Sequence, residues 1–354
     1  MKLPSDLHSF RLAVCCPHAH DGTSLYRGVG PLEAMRRQDR RLELDYAPEG
    51  PEGGRATPHW NWIARNDALF LQRPFEEIDI HAAVLARMQG KPVWMDWDDD
   101  LTCIPHSNKY RQIYDPATMK QRMGKLLSLA DVVSVTTEAL KEKMCQVSGA
   151  GCQPRIIPNA CHWPFSNAQR QRRVTWRGGH SHDADLLAFL PAIAELARLP
   201  QFSLWKWCFL GEPPWQVREA IPEANFEQWA DTPHMYMPAF GYLGPWVNLV
   251  PLADHPFNRS KSNLAWIEAT CAGAITLAPD WPEWQRPGVV NYKDGKDFKD
   301  NLRGLIELSS KLDSNEGLPG QITASRGFIR ENLMLDHVNE QRWEIINQLC
   351  QASL

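Results

Sequence analysis

Short apolar runs alternate with helix-like segments along the first half of the chain, and this alternation limits the possible folds more than any other feature. The predicted strands lie at residues 10–16, 68–71, 92–96, 131–135 and 155–157. Helical segments fall between them, at residues 31–37, 76–88, 118–130 and 138–147. Repeated strand–helix units pair their strands in parallel and cover both faces of the sheet. The first half therefore predicts a parallel, doubly wound sheet.

The same pattern begins again after a polar linker at about residues 166–172. Strands are predicted at residues 173–176, 203–210, 247–250 and 275–278, with a helical segment at 184–199 that is interrupted at Pro191. We therefore predict an α/β protein of two doubly wound Rossmann-like domains, residues 1–165 and 166–335, which face each other across a cleft. The last helix, residues 336–354, is expected to pack back on the first domain. Open α/β sheets bind ligands beyond the carboxyl ends of their strands.

Size and composition agree with this organisation. The 354 residues are enough for two domains, and 43% hydrophobic with 23% charged residues is typical of a globular protein. We expect a cytoplasmic protein, because no apolar run approaches the ~20 residues of a transmembrane segment and the N-terminus lacks the apolar core of a signal peptide. The nine cysteines are scattered without a CxxC pair, which favours reduced thiols over a disulfide framework or zinc site. The net charge of −4 gives no general attraction to nucleic acid, although basic clusters at residues 35–41 and 170–173 keep a polyanionic partner possible.

The segment 258–278 reads as a loop, a helix from about 260 to 272, a glycine stop and a buried strand. On such a helix Lys261 and Glu268 lie almost in line, roughly 10 Å apart along the axis. Basic groups at a helix start suit a phosphate, and a carboxylate two turns later can accept hydrogen bonds from ribose hydroxyls. The alternative is a surface helix on which both side chains are solvated.

A Gly178-Gly179 pair stands between a predicted strand and the following helix. Two glycines allow the backbone to approach a ligand closely, and the helix offers free N–H groups. The pair is neither a P-loop nor a GxGxxG motif, and a plain turn is the alternative. His182 and Asp185 add polar groups in the first helical turn. Together with Arg259 and Lys261, the pair predicts a diphosphate site without a metal.

Four carboxylates within residues 96–100 follow another predicted strand. Clustered carboxylates are unfavourable unless they are solvated, paired or bound to metal, and a D-x-D sequence is a known Mn²⁺ or Mg²⁺ ligand pattern. Asp98 and Asp99 are the candidate catalytic groups here. The alternative is a solvated turn in which aspartate caps a helix.

The loop at residues 17–30 follows the first strand and should border the same cleft. Its His18 and His20 are possible metal ligands, but no third ligand is evident. Arg27 is the better candidate, because it can face an anionic donor.

Segments placed in order along most of the chain resemble GT-B glycosyltransferases. These segments are residues 130–138, the Ile-Pro-Asn run within 155–159, the strand–Gly-Gly–helix of 173–186, and the helix of 257–278. The last segment resembles the donor-binding helix of the large retaining, family 4-like group, which has a K…E…A-x-G-A pattern. The resemblance implies a nucleotide-sugar donor in the C-terminal domain and an acceptor in the N-terminal domain. It further implies that Gly178 and Gly179 approach the diphosphate, that Arg259 and Lys261 neutralise it, and that Glu268 holds the ribose.

One departure from the family is visible. Many members carry a carboxylate in an E-x-G-F stretch seven or eight residues before the ribose glutamate, whereas this chain has Ser260-Lys261-Ser262. The group that holds the sugar hydroxyls is therefore not identified by the resemblance, although a retaining hexosyl- or pentosyltransferase is the expected enzyme.

The leading interpretation is transfer of a sugar from a nucleoside diphosphate to an acceptor hydroxyl on a saccharide, a lipid-linked sugar, a protein or a modified DNA base. The alternatives are a non-catalytic nucleotide-sugar-binding module and a Mg²⁺-dependent phosphohydrolase that uses the 96–100 cluster. No tightly bound cofactor is expected, no residue is assigned as a metal ligand, and the need for a divalent metal is left open. The candidate catalytic residues are Asp98, Asp99 and Arg27, and the candidate donor-binding residues are Gly178, Gly179, His182, Asn258, Arg259, Lys261, Ser262 and Glu268.

Overall fold

The computed structural model describes residues 2–5, 7–16, 22–48, 58–228, 232–311 and 319–352. Their strands form two parallel six-stranded sheets with the orders β2-β1-β3-β4-β5-β6 and β12-β11-β10-β7-β8-β9. The first sheet contains β1 Phe10–Cys15, β2 Leu42–Tyr46, β3 Ala68–Gln72, β4 Val93–Trp97, β5 Val132–Val135 and β6 Arg155–Ile156. The second contains β7 Arg173–Gly178, β8 Lys206–Gly211, β9 Asn225–Glu227, β10 Val247–Leu249, β11 Ile275–Pro279 and β12 Val290–Tyr292. The predicted α/β fold with two doubly wound sheets is confirmed.

Helices connect these strands and cover the sheets. Those of the first half are α1 Gly22–Arg27, α2 Val29–Gln38, α3 Trp60–Ala64, α4 Glu77–Met88, α5 Pro116–Leu129 and α6 Glu138–Ser148. The second half contains α7 Asp183–Ala197, α8 Trp215–Ala220, α9 Pro233–Leu243, α10 Pro256–Arg259, α11 Leu264–Ala272, α12 Gly295–Lys311, α13 Gly320–Asn332 and α14 Leu335–Ala352. Strands such as β3 and β11 are buried along their whole length, because helices cover both faces of a parallel sheet. No helix in the described part of the chain is long and apolar enough to cross a membrane.

Each sheet has one point where the strand order changes direction. In the first sheet it lies between β1 and β3, and in the second between β7 and β10. At such a point the neighbouring connections leave to opposite faces of the sheet, which opens a crevice at the carboxyl ends of the two strands. The topology therefore specifies where a ligand site should form in each half.

The final helix, α14, contacts the first half of the chain. The side chain of Asn339 donates to the carbonyl oxygen of Pro31 at 3.2 Å, and the indole of Trp343 donates to Gln38 at 3.1 Å. Both acceptors lie on α2. These contacts hold α14 against α2, which packs on β2 of the first sheet.

Several details of the predicted elements were wrong. The described part of the loop expected at residues 17–30 is formed by α1 and the start of α2. Helix α7 runs through Pro191 without interruption, because its packing against α8 and α12 outweighs one lost backbone hydrogen bond. The strand expected at residues 203–210 begins only at Lys206, after a 3₁₀ turn at 200–202. The helix expected from Ser260 to Ala272 begins only at Leu264, because residues 260–262 are held by contacts with the first half.

Candidate active site

The carboxyl ends of the two sheets face each other across a cleft of about 480 Å³. Its walls are built mainly from residues at or just after strand ends. They include Tyr26 and Arg27 after β1, Arg73 after β3, Asp98 and Asp99 after β4, Asn159 after β6, Gly178 and Gly179 at and after the end of β7, and Val250 after β10. Both crevices specified by the strand orders thus open into one space, as expected for a ligand site in facing α/β sheets.

The two adjacent glycines of the cleft have different reasons for lacking a side chain. A Cβ at Gly178 would lie 2.4 Å from Cζ2 of the buried Trp176 ring, so packing alone requires glycine there. A Cβ at Gly179 would meet only the Glu212 carboxylate, at 3.7 Å, and the backbone of Gly179 has φ −99°. An L side chain therefore fits at Gly179 in the free protein. This glycine leaves open space beside the cleft, which suits close approach by a ligand.

A buried network on the floor of the cleft joins the two halves. Glu268 of α11 is 3% exposed and forms an ion pair with Arg177 of β7. The Tyr26 hydroxyl donates to Glu268 Oε1 at 2.6 Å and accepts from the Trp163 indole at 2.9 Å. Burial raises the pKa of Glu268, while Arg177 and the Tyr26 hydroxyl oppose this shift. Glu268 lines the cleft as predicted, but its carboxylate already has a cation and a hydroxyl as partners.

Lys261 faces the carboxylates of the first half across the cleft. Its Nζ lies 3.5 Å from Asp99 Oδ1 and 4.5 Å from the centre of the Phe257 ring. Burial acts to raise the pKa of Asp99, but the Lys261 ammonium and the Arg73 guanidinium together lower it below its usual value. At 3.5 Å this ion pair is at the outer limit of a hydrogen bond, so an anionic ligand could replace Asp99 as the partner of Lys261.

Arg73 holds the neighbouring carboxylate more tightly. Its Nε donates to Asp98 Oδ1 at 2.6 Å, and its Nη2 contacts both Asp98 and Asp99. Burial raises the pKa of Asp98, with the guanidinium opposing the shift and Asp99 adding to it. The two adjacent carboxyl groups therefore share Arg73 as a partner, and Asp99 also contacts Lys261.

The segment 260–262 is fixed by side chains of the first half. Thr137, which caps the start of α6, donates to the carbonyl oxygen of Ser260 at 3.0 Å. Asn159 donates to the Ser262 hydroxyl at 2.7 Å. These contacts keep Lys261 outside any helix, which corrects the expectation that Lys261 and Glu268 are aligned on one helix. Both side chains nevertheless reach the cleft.

His182 lies at the start of α7 and lines the cleft. Its Nδ1 is 3.0 Å from Asp185 Oδ2, while Asp185 Oδ1 accepts from the Ala253 backbone and from Asn258 at 2.6 Å. Burial and the nearby Lys261 ammonium lower the pKa of His182, so a neutral imidazole with Nδ1–H toward Asp185 is favoured. Asn258, predicted to bind the donor, does not line the cleft and instead supports Asp185.

Arg27 was predicted to face an anionic donor, and the structure gives it a different main partner. Its guanidinium forms a two-bond pair with Asp96, at 2.9 and 2.6 Å, and donates to the Ile157 carbonyl oxygen. Both side chains of the pair are almost fully buried. Arg27 borders the cleft, but its charge is neutralised by Asp96, which corrects the sequence interpretation.

Arg259 requires a similar correction, because it does not reach the cleft. It forms a two-bond pair with Asp254 at 2.6 and 2.8 Å and lies over the Trp281 ring, 5.1 Å from its centre. These residues border a separate groove. The break between α10 and α11 separates Arg259 from Lys261, although only one residue lies between them in the sequence.

Of the four carboxylates at residues 96–100, Asp98 and Asp99 line the cleft, whereas Asp96 and Asp100 do not. Asp96 pairs with Arg27, Asp98 with Arg73, and Asp100 accepts from the Thr102 hydroxyl at 2.6 Å. Among the described residues no group of three or more His, Cys, Asp or Glu side chains could hold a metal ion. The predicted candidates His18 and His20 lie outside the described residues.

Sequence reasoning missed Arg73 and Arg177. Arg73 has a backbone φ of +45°, and among the described residues it is the one non-glycine residue with a positive φ. Non-glycine residues in this conformation often occur at functional sites, but the sequence gives no sign of it. Arg177 could have been found, since a charged residue directly before the glycine pair interrupts an otherwise apolar buried strand.

The arrangement of two facing doubly wound sheets is the GT-B fold. No protein-family model and no curated protein matches this sequence.

Solved structures match over nearly the whole chain. The HepE protein of Anabaena in complex with UDP-glucose is 10% identical with a TM-score of 0.68, and the match covers 96% of this chain and 99% of HepE. The lipopolysaccharide outer core galactosyltransferase WaaB is 12% identical with a TM-score of 0.62, over 98% and 100%. The pneumococcal O-GlcNAc transferase GtfA, in complex with UDP and GlcNAc, is 12% identical with a TM-score of 0.57, over 82% and 59%. At this level of identity the likeness shows the fold.

Proposed function

We propose that this protein is a glycosyltransferase that moves a sugar from a UDP-sugar-type donor to an acceptor hydroxyl. The observation that carries the proposal is the convergence of Gly179, Arg177 and Lys261 at the carboxyl ends of the second sheet, opposite polar groups of the first. The structures of HepE and GtfA, which share the fold, hold UDP-glucose or UDP. They support a nucleoside diphosphate as the ligand class.

In this proposal the diphosphate lies beside the open backbone at Gly179 and takes Lys261 as its cationic partner. A phosphate that approached Lys261 Nζ to about 2.7–2.9 Å would form a shorter and stronger charge-assisted hydrogen bond than the contact with Asp99 at 3.5 Å. His182 lines the same wall of the cleft, and the Lys261 ammonium is close enough to lower the pKa of its imidazole. The ribose would bind Glu268, where its hydroxyls replace the Tyr26 hydroxyl as donors to the carboxylate.

The chemistry requires charge stabilisation at the leaving group. When the glycosidic bond of the donor breaks, the nucleoside diphosphate gains negative charge, and fixed cations stabilise that charge most in a site shielded from water. Arg177 and Lys261 are each less than one fifth exposed, and we assign this role to them. We propose that they act without a divalent metal, which predicts turnover that survives chelation with EDTA.

The acceptor would approach from the wall formed by the first half. Asp98, Asp99 and Arg73 lie there, and a saccharide hydroxyl is the acceptor that this polar wall fits best. Each carboxylate in the described lining of the cleft already has a cationic partner. We therefore propose retention of configuration, with the leaving phosphate taking the acceptor proton, and the anomeric signal of the product in ¹H NMR tests this.

The test of the proposal is transfer of labelled sugar from a panel of UDP-sugars to saccharide and lipid-linked acceptors, with UDP binding measured in parallel. Lys261→Ala should weaken UDP binding about tenfold or more, since a charge-assisted hydrogen bond contributes about 1.5–3 kcal/mol. Arg259→Ala is the matched control, because Arg259 carries the same charge two residues away but lies outside the cleft.

Unchanged UDP affinity and turnover in Lys261→Ala would contradict the site assignment. UDP-sugar binding without transfer or hydrolysis on any acceptor would instead indicate the non-catalytic binding module.

A further inference from the structure

Two buried thiols meet where the segment between the sheets crosses α11. Cys161 follows β6 and Cys271 lies near the end of α11, and their sulfur atoms are 3.2 Å apart. Both residues are 2% exposed or less, and in this structure Cys161 and Cys271 are not joined by a disulfide. A disulfide bond is about 2.05 Å long, so the two sulfurs are roughly 1 Å from bonding distance.

Backbone hydrogen bonds hold both cysteines in place. The amide of Cys161 donates to the Leu333 carbonyl oxygen at 2.7 Å, and the Cys271 carbonyl oxygen accepts from Ser166 at 2.7 Å. Arg326 in turn donates to the carbonyl oxygen of Ser166 at 2.7 Å. The proximity of the thiols is therefore set by the packing of three segments and does not depend on an exposed, mobile loop.

The thiols also contact the network on the floor of the cleft. The Cys161 Sγ donates to the Trp163 carbonyl oxygen at 3.3 Å, and Cys271 Sγ lies 3.9 Å from the same oxygen. The Trp163 indole donates to Tyr26, which donates to Glu268. Glu268 itself lies three residues before Cys271 on α11. A covalent change at the thiols would act directly on the helix that carries this carboxylate.

We propose that Cys161 and Cys271 are a site of reversible oxidation, at which a disulfide ties the segment between the sheets to α11. The oxidant class is a low-molecular-weight disulfide. The Cys161 thiolate attacks one sulfur of this reagent and releases its first thiol, and the Cys271 thiolate then attacks the mixed disulfide and releases the second. The protein loses two protons and two electrons, and the reagent becomes two thiols.

The order of attack follows from the environment of the two sulfurs. Hydrogen bonding from Cys271 lowers the pKa of Cys161, whereas the same contact and burial raise the pKa of Cys271. Because the thiolate is the nucleophile, these directions favour Cys161 as the first thiol to react. Both thiols are buried, so their oxidation requires a local opening of the structure. It should be slower than oxidation of a partly exposed thiol such as Cys145.

The experiment is oxidation of the wild-type protein with glutathione disulfide, followed by digestion without reductant and mass spectrometry. A peptide pair that joins Cys161 to Cys271, and that separates on reduction, is the expected result. Hydrogen exchange should become slower in residues 264–272 and 161–166 of the oxidised protein. The Cys271→Ser variant should show neither change, and Cys145→Ser should show both.

Two results would overturn the proposal. One is a wild-type protein in which Cys161 and Cys271 remain alkylatable after unfolding of the oxidised sample, or in which only other cysteines are linked. The other is a 161–271 linkage that leaves hydrogen exchange in both segments unchanged, since the disulfide would then not tie them together. Neither readout depends on glycosyltransfer, so this inference and the proposed function can fail separately.

Discussion

Alanine at Gly179 should leave the fold intact and weaken the binding of UDP, whereas alanine at the adjacent Gly178 should destabilise the protein. The two substitutions add the same methyl group to neighbouring residues of one turn. They differ in what that methyl group meets, which is the Trp176 ring at Gly178 and mostly open space at Gly179. The pair therefore separates a packing requirement for glycine from a binding requirement.

The magnitudes follow from the contacts. At Gly178 the new Cβ would lie 2.4 and 2.8 Å from two atoms of a ring that is 2% exposed. Such overpacking costs about 1–3 kcal/mol, which lowers the Tm by roughly 2–12 °C for a domain of this size. At Gly179 the contact of 3.7 Å is ordinary and φ is negative, so alanine should stabilise the fold by about 0.4–1 kcal/mol. If the methyl group keeps the diphosphate from the backbone, the loss of one charge-assisted hydrogen bond, about 1.5–3 kcal/mol, raises the Kd for UDP roughly ten- to a hundredfold.

Thermal unfolding in the absence of ligand and isothermal titration with UDP measure the two effects separately. Wild type, Gly178→Ala and Gly179→Ala would be compared at the same protein concentration and ionic strength. Gly179→Ala should match or exceed the wild-type Tm and bind UDP weakly. Gly178→Ala should lower the Tm, and any loss of UDP binding there carries no information about contact with the ligand.

A Gly179→Ala variant that binds UDP with wild-type affinity would show that the diphosphate does not approach this backbone. A Gly179→Ala variant with a strongly reduced Tm would refute the reasoning at an earlier step, because the open space beside Gly179 would then be required for the fold.

Arg27→Met should lower the free energy of unfolding by about 3–5 kcal/mol, because it leaves the buried Asp96 carboxylate without its cation. The double variant with Asp96→Asn should lose less than the sum of the single changes in urea denaturation, and additive losses would show that the pair is not coupled. Burial lowers the pKa of His162 to about 3, against about 6.5 in an unfolded chain. The unfolded state therefore binds more protons, so the stability that this neutral imidazole contributes is present above pH ~6.5 and is lost as the pH falls toward 3, by about 2 kcal/mol at pH 5. His162→Gln should have a flatter pH profile between pH 7 and 5, and an identical slope would rule out His162 as the cause. Tyr26→Phe should tighten UDP binding severalfold in titration calorimetry, because it removes the hydroxyl that competes with ribose for Glu268. Weaker binding would place the ribose elsewhere.

The fold could be predicted because it depends on local patterns of apolar residues along the chain. Buried strands such as β3 and β11 are continuous apolar runs, and the helices between them carry the apolar stripes that cover the sheet. The restart of this pattern after the linker was enough to predict two sheets. The same local logic failed at Pro191, where packing against neighbouring helices keeps α7 continuous.

The site could be predicted only in part, since its residues are contributed by strand ends that are distant in sequence. Gly179, Lys261 and Glu268 were identified and do line the cleft, because strand ends and glycine turns can be located from the sequence. Arg259 was misplaced because the sequence gives no sign that Arg259 ends a separate helix, α10, and pairs with Asp254.

The sequence by itself determined the two α/β sheets, the glycine turn and the charges available at the strand ends. Only the tertiary structure decided which of those charges remain available to a ligand. Arg27 is paired with Asp96 and Arg259 with Asp254, whereas Lys261 has only a contact of 3.5 Å with Asp99 across the cleft. The physical reason is that strand and helix formation depend on neighbours along the chain, whereas the pairing of a charge depends on which carboxylate the fold brings within 4 Å of it.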